Sequence, residues 1–465
     1  MFLSLSQLSC SPAPACPGSN GVLLISPTEL RDCPADETIH TLQLQGAGSL
    51  QSQTLASRFP ELRKLHILFA PELEDLPPDI TALEQLQELT LSGTGLSELP
   101  LSLQTLSVQT LHIAHNPWLI QLPSLQGKIE NLYIEDNPRL TSLPAEMGSR
   151  RYLRSLRLND NALDKLPESI GQYRGVLSVS IRGNQLQQLP DSIARWQILE
   201  SLDISDNPLT ILPETLSQMR NLRTLTLHHL PNLSQLPDLS GLMQLRTLSI
   251  LDCPTLHEIP ESILHLNSLE TLEIYTTGIT TIPKNIFDIS TLEQVDIRMN
   301  PFLTELPTQL GGGKRLRHLK LNQNALKTLP SSLGRLQRLE SLFLDENELT
   351  QLPEELCSLP RLEQLSLAQN QLSQLCPNIG DLSALQELNL FANPLQSLPL
   401  SLSESSQLAV LNIWDVPFAE LPTVLFDISS LRVLAINESS DHKYPDVISE
   451  IRSGLRGVQF ITPDR

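Results

Sequence analysis

Three groupings in this sequence have the residue types and spacing for acid–base, metal or nucleophile chemistry. Asp206, His229 and Asp252 recur at intervals of 23 residues, with His228 beside the second. If that interval is a structural repeat, the three share one column, and a histidine held between two carboxylates charges more readily. Such a row would give pH-sensitive binding or, at the extreme, a hydrolase. His112, His115 and Asp136 would fall close enough in register to suggest a metal ion. Cys253 is the third candidate. Each has a plainer explanation. A row on an open sheet offers no cleft, no activated nucleophile and no lid to exclude water. A metal there would lack a second shell, and Cys253 stands where other units carry an asparagine. The chain has no phosphate-cradling glycine loop and no Cys-x-x-Cys pair. The reading is a non-enzymatic protein with no catalytic residue, metal or cofactor.

What must position these residues is a repeat. Leucine supplies 98 of 465 residues, against 18 aromatics and 20 glycines. That bias indicates repetition rather than ordinary domains of roughly 150 residues each. Leu339, Leu342, Leu344, Asn347, Leu349, Leu352, Pro353, Leu356 and Leu359 form one unit, and Leu362 restarts it. Counting first apolar residues from Ile39 and Leu62 to Leu431 gives 18 units spaced 21 to 24 residues apart. The pattern L-x-x-L-x-L-x-x-N-x-L-x-x-L-P resembles the 23-residue class of leucine-rich repeats. Relatives in that class include intracellular Ras-suppressor-type proteins, plant Ras-group-related proteins and leucine-rich-repeat effectors that bacteria inject into host cells. The resemblance spans Ile39 to Ser439. It implies an α/β solenoid, a horseshoe of about 18 repeats with a parallel concave sheet and short helical or 3-10 convex segments.

Spacing leads to the same fold by a separate route. Leucines two apart point to one face of a short strand, and stacking the units buries that face continuously. Eight places into the unit stands an asparagine able to satisfy backbone groups where the chain leaves the sheet. It occurs as Asn116, Asn137, Asn161, Asn184, Asn207, Asn300, Asn324, Asn347, Asn370 and Asn393. Repeats nine to eleven carry Leu230, Cys253 and Thr277 there, and Ala47, Ala70, Thr94, Val416 and Ser439 fill the terminal units. The ladder should be weakest at these positions. Leu-Pro opens the convex side, where a fixed φ suits the first turn of a short helix.

Residues 1–28 lack charge and are rich in Ser and Pro, so they read as a disordered leader; 29–38 read as an N-terminal cap, 39–439 as the repeat domain and 440–465 as a C-terminal cap. In that last cap, Pro445 to Leu455 suits a helix and Val458 to Ile461 a strand. Arg456-Gly457-Val458-Gln459-Phe460 also resembles a phosphatase docking motif. Six scattered cysteines fit a reducing compartment and hence a cytoplasmic location. The alternative is export by a bacterial injection system, with the uncharged leader as signal.

Function should sit on the concave face, at the positions two, four, six and seven places after the first apolar residue. These hold 14 acidic residues and five basic ones (Lys64, Arg157, Arg182, Arg298, Lys320). With a net charge of −20, the chain would repel nucleic acid and suit a protein partner with a basic surface. No apolar run is long enough to span a membrane. Phe343, Phe391 and Trp414 form the best contact patch, ringed by Asp345, Glu346, Glu387 and Asp415; Tyr133, Tyr275, His228 and His229 are further candidates. The chain is read as a monomer that binds a protein partner, as a bacterial effector acting on host signalling or, alternatively, as a regulatory scaffold for a phosphatase or small GTPase.

Overall fold

The two leucines that alternate in each unit are its innermost residues: Leu156 and Leu158, like Leu342 and Leu344, are 0% exposed. At about 1.5–3 kcal/mol for each leucine taken out of water, this column is the main source of stability. The computed structural model describes residues 21–46, 48, 50, 54–77, 79–146, 151–310, 313–418, 420, 422–436, 455 and 457–461. It divides into two compact units, Met1–Pro208 and Leu209–Arg465.

In the first unit the strands are β1 Val22–Ile25, β2 Thr41–Gln45, β3 Lys64–Ala70, β4 Glu88–Thr94, β5 Val108–Ala114, β6 Ile129–Glu135, β7 Ser155–Arg157, β8 Ser178–Ser180 and β9 Ser201–Asp203. Each pairs in parallel with the next. The second unit holds β10 Thr224–His228, β11 Thr247–Cys253, β12 Thr271–Thr277, β13 Gln294–Arg298, β14 His318–Lys320, β15 Ser341–Phe343, β16 Gln364–Ser366, β17 Glu387–Asn389, β18 Val410–Asn412, β19 Val433–Ala435 and β20 Gln459–Ile461. These too pair in parallel in chain order. Each unit is therefore a parallel-sheet solenoid.

The strands end in a way the sequence does not reveal. Seven places after the first apolar residue the backbone turns left-handed, at φ between 50 and 58° for 14 non-glycine residues. Gly46, Gly93 and Gly183 occupy the same place in their units at φ of 86, 65 and 66°. The turn carries the next side chain, the ladder position, inward. Five of the 14 are aspartates (Asp136, Asp160, Asp206, Asp252, Asp415), a residue that tolerates this conformation, but Phe69, Thr276 and Met299 are not. Position seven is thus a turn at the rim and not part of the strand face, which moves His229, Glu346 and Asp415 to the rim.

All ten ladder asparagines are buried. Asn161 Nδ2 donates to the carbonyls of Ile134, Leu158 and Asn159, and Asn161 Oδ1 accepts from Asn137 N at 3.0 Å. The expected gaps are largely closed. Thr94 and Thr277 each donate both N–H and hydroxyl to the Oδ1 of the following asparagine, Asn116 or Asn300. Cys253 Sγ reaches Leu227 O and Leu251 O at 3.5 and 3.4 Å, and burial pushes its thiol up to about 11. A thiol so hard to ionise is a ladder rung, not a nucleophile. Leu230 and Ala70, both wholly buried, bring no polar group, and neither does Val416.

On the far side the proline does not enter the helix. Pro167, for example, sits just before the 3-10 helix Glu168–Gln172 at ψ 149°, and its carbonyl accepts the first bond, from Ile170 N. The extended ψ reflects proline's preference for polyproline geometry, so it caps the turn from outside. Neighbouring 3-10 segments approach closely: a Cβ on Gly171 would lie 2.1 Å from Ser192 O. Beneath them Trp196 is 1% exposed and donates Nε1–H to Ile170 O at 2.9 Å.

Two expectations change at the chain's ends and cysteines. The leader cannot extend to residue 28, because β1 begins at Val22 and Leu23 is fully buried, while Ser26 and Glu29 form a capping box on α1 Pro27–Leu30. The alternation of buried and exposed residues in Val22–Ile25 is hidden in an uncharged stretch. Residues 1–20 and the expected helix from Pro445 lie outside the described residues. Cys357 and Cys376, on adjacent repeats, are joined in a disulfide, and Cys33 is also disulfide-bonded. Disulfides are in general commoner in oxidising compartments than in reducing ones.

Candidate binding surface

The sheet face turned away from the leucines carries two sets of side chains tied from strand to strand. In the first unit His112, Tyr133 and Arg157 stand in register on β5, β6 and β7. The His112 ring meets the Tyr133 ring edge-on at 5.9 Å, and Arg157 lies over Tyr133 at 4.8 Å. Glu135 accepts from Asn159 Nδ2 at 3.1 Å and lies 3.3 Å from His112 Nε2. Further along, His66 bonds Thr90 Oγ1 at 3.1 Å and lies 3.8 Å from Glu88, which pairs with Lys64 at 2.9 Å. Burial holds His66 and His112 below the usual histidine range, outweighing Glu88 and Glu135. Both are neutral at pH 7, and His66 alone of the two hydrogen-bonds a neighbour, Thr90.

The metal trio separates into pairs. His112 serves Tyr133 and Glu135, whereas His115, in its left-handed turn, pairs with Asp136. Among the described residues no group of three could hold a metal ion. The proposed acid–base row also changes. Asp206 lies 3.9 Å from Arg182, which is equally 3.9 Å from Asp160. His229 Nε2 pairs with Asp252 at 2.9 Å, and both side chains are exposed, at 59% and 40%. A pair so open to water is weak.

In the second unit His228 Nε2 donates to Ser249 Oγ at 2.8 Å, and the Ser249 hydroxyl donates in turn to Glu273 at 2.6 Å. Arg298 covers Tyr275 at 5.1 Å, donates Nε–H to Asp296 at 2.5 Å, and Lys320 stands 3.8 Å from the same carboxylate. Burial raises Asp296 despite both cations. Phe343 follows Lys320 in register. Phe391 and Trp414 leave neighbouring strands, with Ala392 N donating to Trp414 O at 2.9 Å. Phe343 is two strands from Phe391, roughly 10 Å at about 4.8 Å per strand. All three rings are half-buried.

The acids around them divide. Glu346 and Glu387 are exposed and accept from Gln323 and Gln364 at 3.1 Å, and Asp415 is exposed at its turn. Asp345 does not belong with them. It accepts from Ser366 Oγ, Ala368 N and Asn322 Nδ2, and burial raises its pKa, so it organises the strand exits instead of facing a partner. Sequence reading missed the two arginines over tyrosines. The signal was present: each stands one repeat after its tyrosine, in the same column.

Parallel strands, buried asparagine rungs and 3-10 returns repeat together through both units, and a leucine rich repeat family profile matches residues 174–233, 314–372 and 337–395. The chain is a leucine-rich repeat protein. A leucine-rich repeat protein of Leptospira interrogans is similar in structure at TM-score 0.61 and 26% identity, over 92% of this chain and 90% of that one. A chain of the Drosophila Toll–Spatzle complex matches at TM-score 0.62 and 18% identity, over 96% of this leucine-rich repeat protein and 54% of its own length. A TDR receptor matches at 0.55 and 20%, over 90% and 75%. The last two speak for the fold alone. No protein of curated function matches the sequence.

Proposed function

We propose that this leucine-rich repeat protein is a non-enzymatic, monomeric binding module that captures a protein partner on the concave face of its sheet. The observation that carries the reading is pre-ordering: His228, Ser249 and Glu273 are bonded across three successive strands, and Arg298 is bonded to Asp296 on the next strand, before any partner arrives. Side chains already fixed lose little entropy on binding. The structural relatives support it, since the Toll–Spatzle structure is itself a complex. Strand-face and rim positions together hold 14 acidic residues to five basic, so the partner surface is basic overall and association falls with salt. Phe343, Phe391 and Trp414, with Glu346, Glu387 and Asp415, are the proposed contact patch.

The disulfides favour the exported version of this reading, including an effector role, over a cytoplasmic scaffold. The phosphatase or GTPase alternative loses its motif, because Gln459–Ile461 is occupied as β20 beside β19. No described helix is long and apolar enough to cross a membrane. The test is capture from lysate at low and moderate salt, using wild type and the Phe343→Ala/Phe391→Ala/Trp414→Ala variant with matched melting curves. A partner held by wild type alone, and released by salt, is the expected result. Equal capture by both would overturn the proposed site.

A further inference from the structure

On the open face of the sheet, four of the five basic side chains are already neutralised. Lys64 pairs with Glu88 at 2.9 Å, Arg182 lies 3.9 Å from both Asp160 and Asp206, and Arg298 and Lys320 share Asp296 at 2.5 and 3.8 Å. Arg157 differs. It is exposed, and among the described residues no carboxylate lies within ion-pair distance of it, although acids outnumber bases on this face. It is held by the Tyr133 ring at 4.8 Å, and the ring by His112 edge-on at 5.9 Å.

Stacking of this kind fixes a guanidinium without using its N–H groups. Those donors, and the Tyr133 hydroxyl, have no hydrogen-bond partner among the described residues. The acceptor that matches a planar guanidinium fork is a carboxylate, bound through two parallel N–H···O bonds. We propose that Arg157 and Tyr133 form a carboxylate subsite that receives an acidic side chain of the protein partner. The subsite rests on the partner-binding reading and refines it: the partner is basic overall but places one Asp or Glu at β6 and β7. It also supplies register, because a single paired carboxylate on an otherwise acidic face defines where along the sheet the partner can sit.

The test uses the full chain with 15N-labelled arginine and N-acetyl-aspartate α-methylamide as probe at low salt, with N-acetyl-asparagine α-methylamide as the neutral control. The Arg157 Nε–Hε resonance should shift saturably with the acid alone, while those of exposed Arg361 and Arg432 move little. Arg157→Lys keeps the charge but loses the fork, and should weaken the probe's effect on the Tyr133 ring signals at least fivefold; Arg157→Gln should abolish it. Tyr133→Phe, which keeps the ring, should retain the Arg157 shift with lower affinity. If Arg157 responds no more than Arg361, or the neutral control shifts it equally, the subsite is refuted. That outcome would leave partner capture by the Phe343, Phe391 and Trp414 patch untouched, so the two failures are distinguishable.

Discussion

Two stretches of the sheet face, one in each unit, display aromatic residues in opposite ways. In the first, Tyr133 has its edge against His112 and its face under Arg157, leaving the guanidinium as the exposed group. Near the end of the second, Phe343, Phe391 and Trp414 carry no cation over their rings among the described residues and remain half-buried. An aromatic in the concave register is therefore not in itself an anchor; the residue one repeat later decides whether the ring or its cap meets the partner.

The sharpest contrast between core and face is Trp196→Ala, which removes a buried indole and its bond to Ile170 O and should cost about 3–5 kcal/mol in denaturant unfolding. The aromatic triple variant should change stability far less while losing the partner. Next comes the ladder. Asn161→Leu reproduces in the first unit what Leu230 does in the second, removing the Asn161 bond to Ile134 O and the acceptor of Asn137 N while Leu158 O and Asn159 O keep Asn184 Nδ2 and Asp136 N, and should cost about 1–3 kcal/mol. By the same reasoning, amides around Leu230 should exchange faster than those of the units carrying Asn324, Asn347, Asn370 and Asn393; equal protection would show that Cys253 fully replaces the missing rung.

Acid should divide the units more gently. His66 and His112 are held below their usual 6.5, so the stability they contribute is present above 6.5 and is lost as pH falls through their folded values. Asp296 and Asp345 are raised above 3.8, so their contribution is present below 3.8 and is lost as pH rises through the folded values. Lowering pH from 7 should thus reduce amide protection, taken relative to the intrinsic exchange rate at each pH, in β3 and β5 and raise it in β13 and around Asp345. His66→Gln should flatten the first trend. The smallest effect expected is at the turn, where Phe69→Asn should gain under about 1 kcal/mol by easing the left-handed conformation.

The repeat, the parallel sheet and the ladder were legible because leucine spacing fixes which side of a strand is buried. What was not legible depended on neighbours or backbone. A left-handed turn has no residue signature when Phe69, Thr276 and Met299 all adopt it. Asp345 reads as a surface acid until Ser366 and Ala368 close over it from the next strand. Leu24, 53% exposed beside buried Leu23, looked like part of a tail because its pairing strand begins 17 residues later, at Thr41.

The central claim is that the sheet's open face makes the partner contact, and steric blocking tests it most directly. Single cysteines at Ser178 and Gln294, both exposed on that face, and at Ser358 on the opposite side would each be coupled to a bulky maleimide. Buried Cys253, with its thiol pushed up to about 11, should not compete, and reagent-treated wild type is the reference. The account predicts that coupling at Gln294 or Ser178 prevents partner capture and coupling at Ser358 does not. Capture that survives on the open face and fails at Ser358 would contradict it.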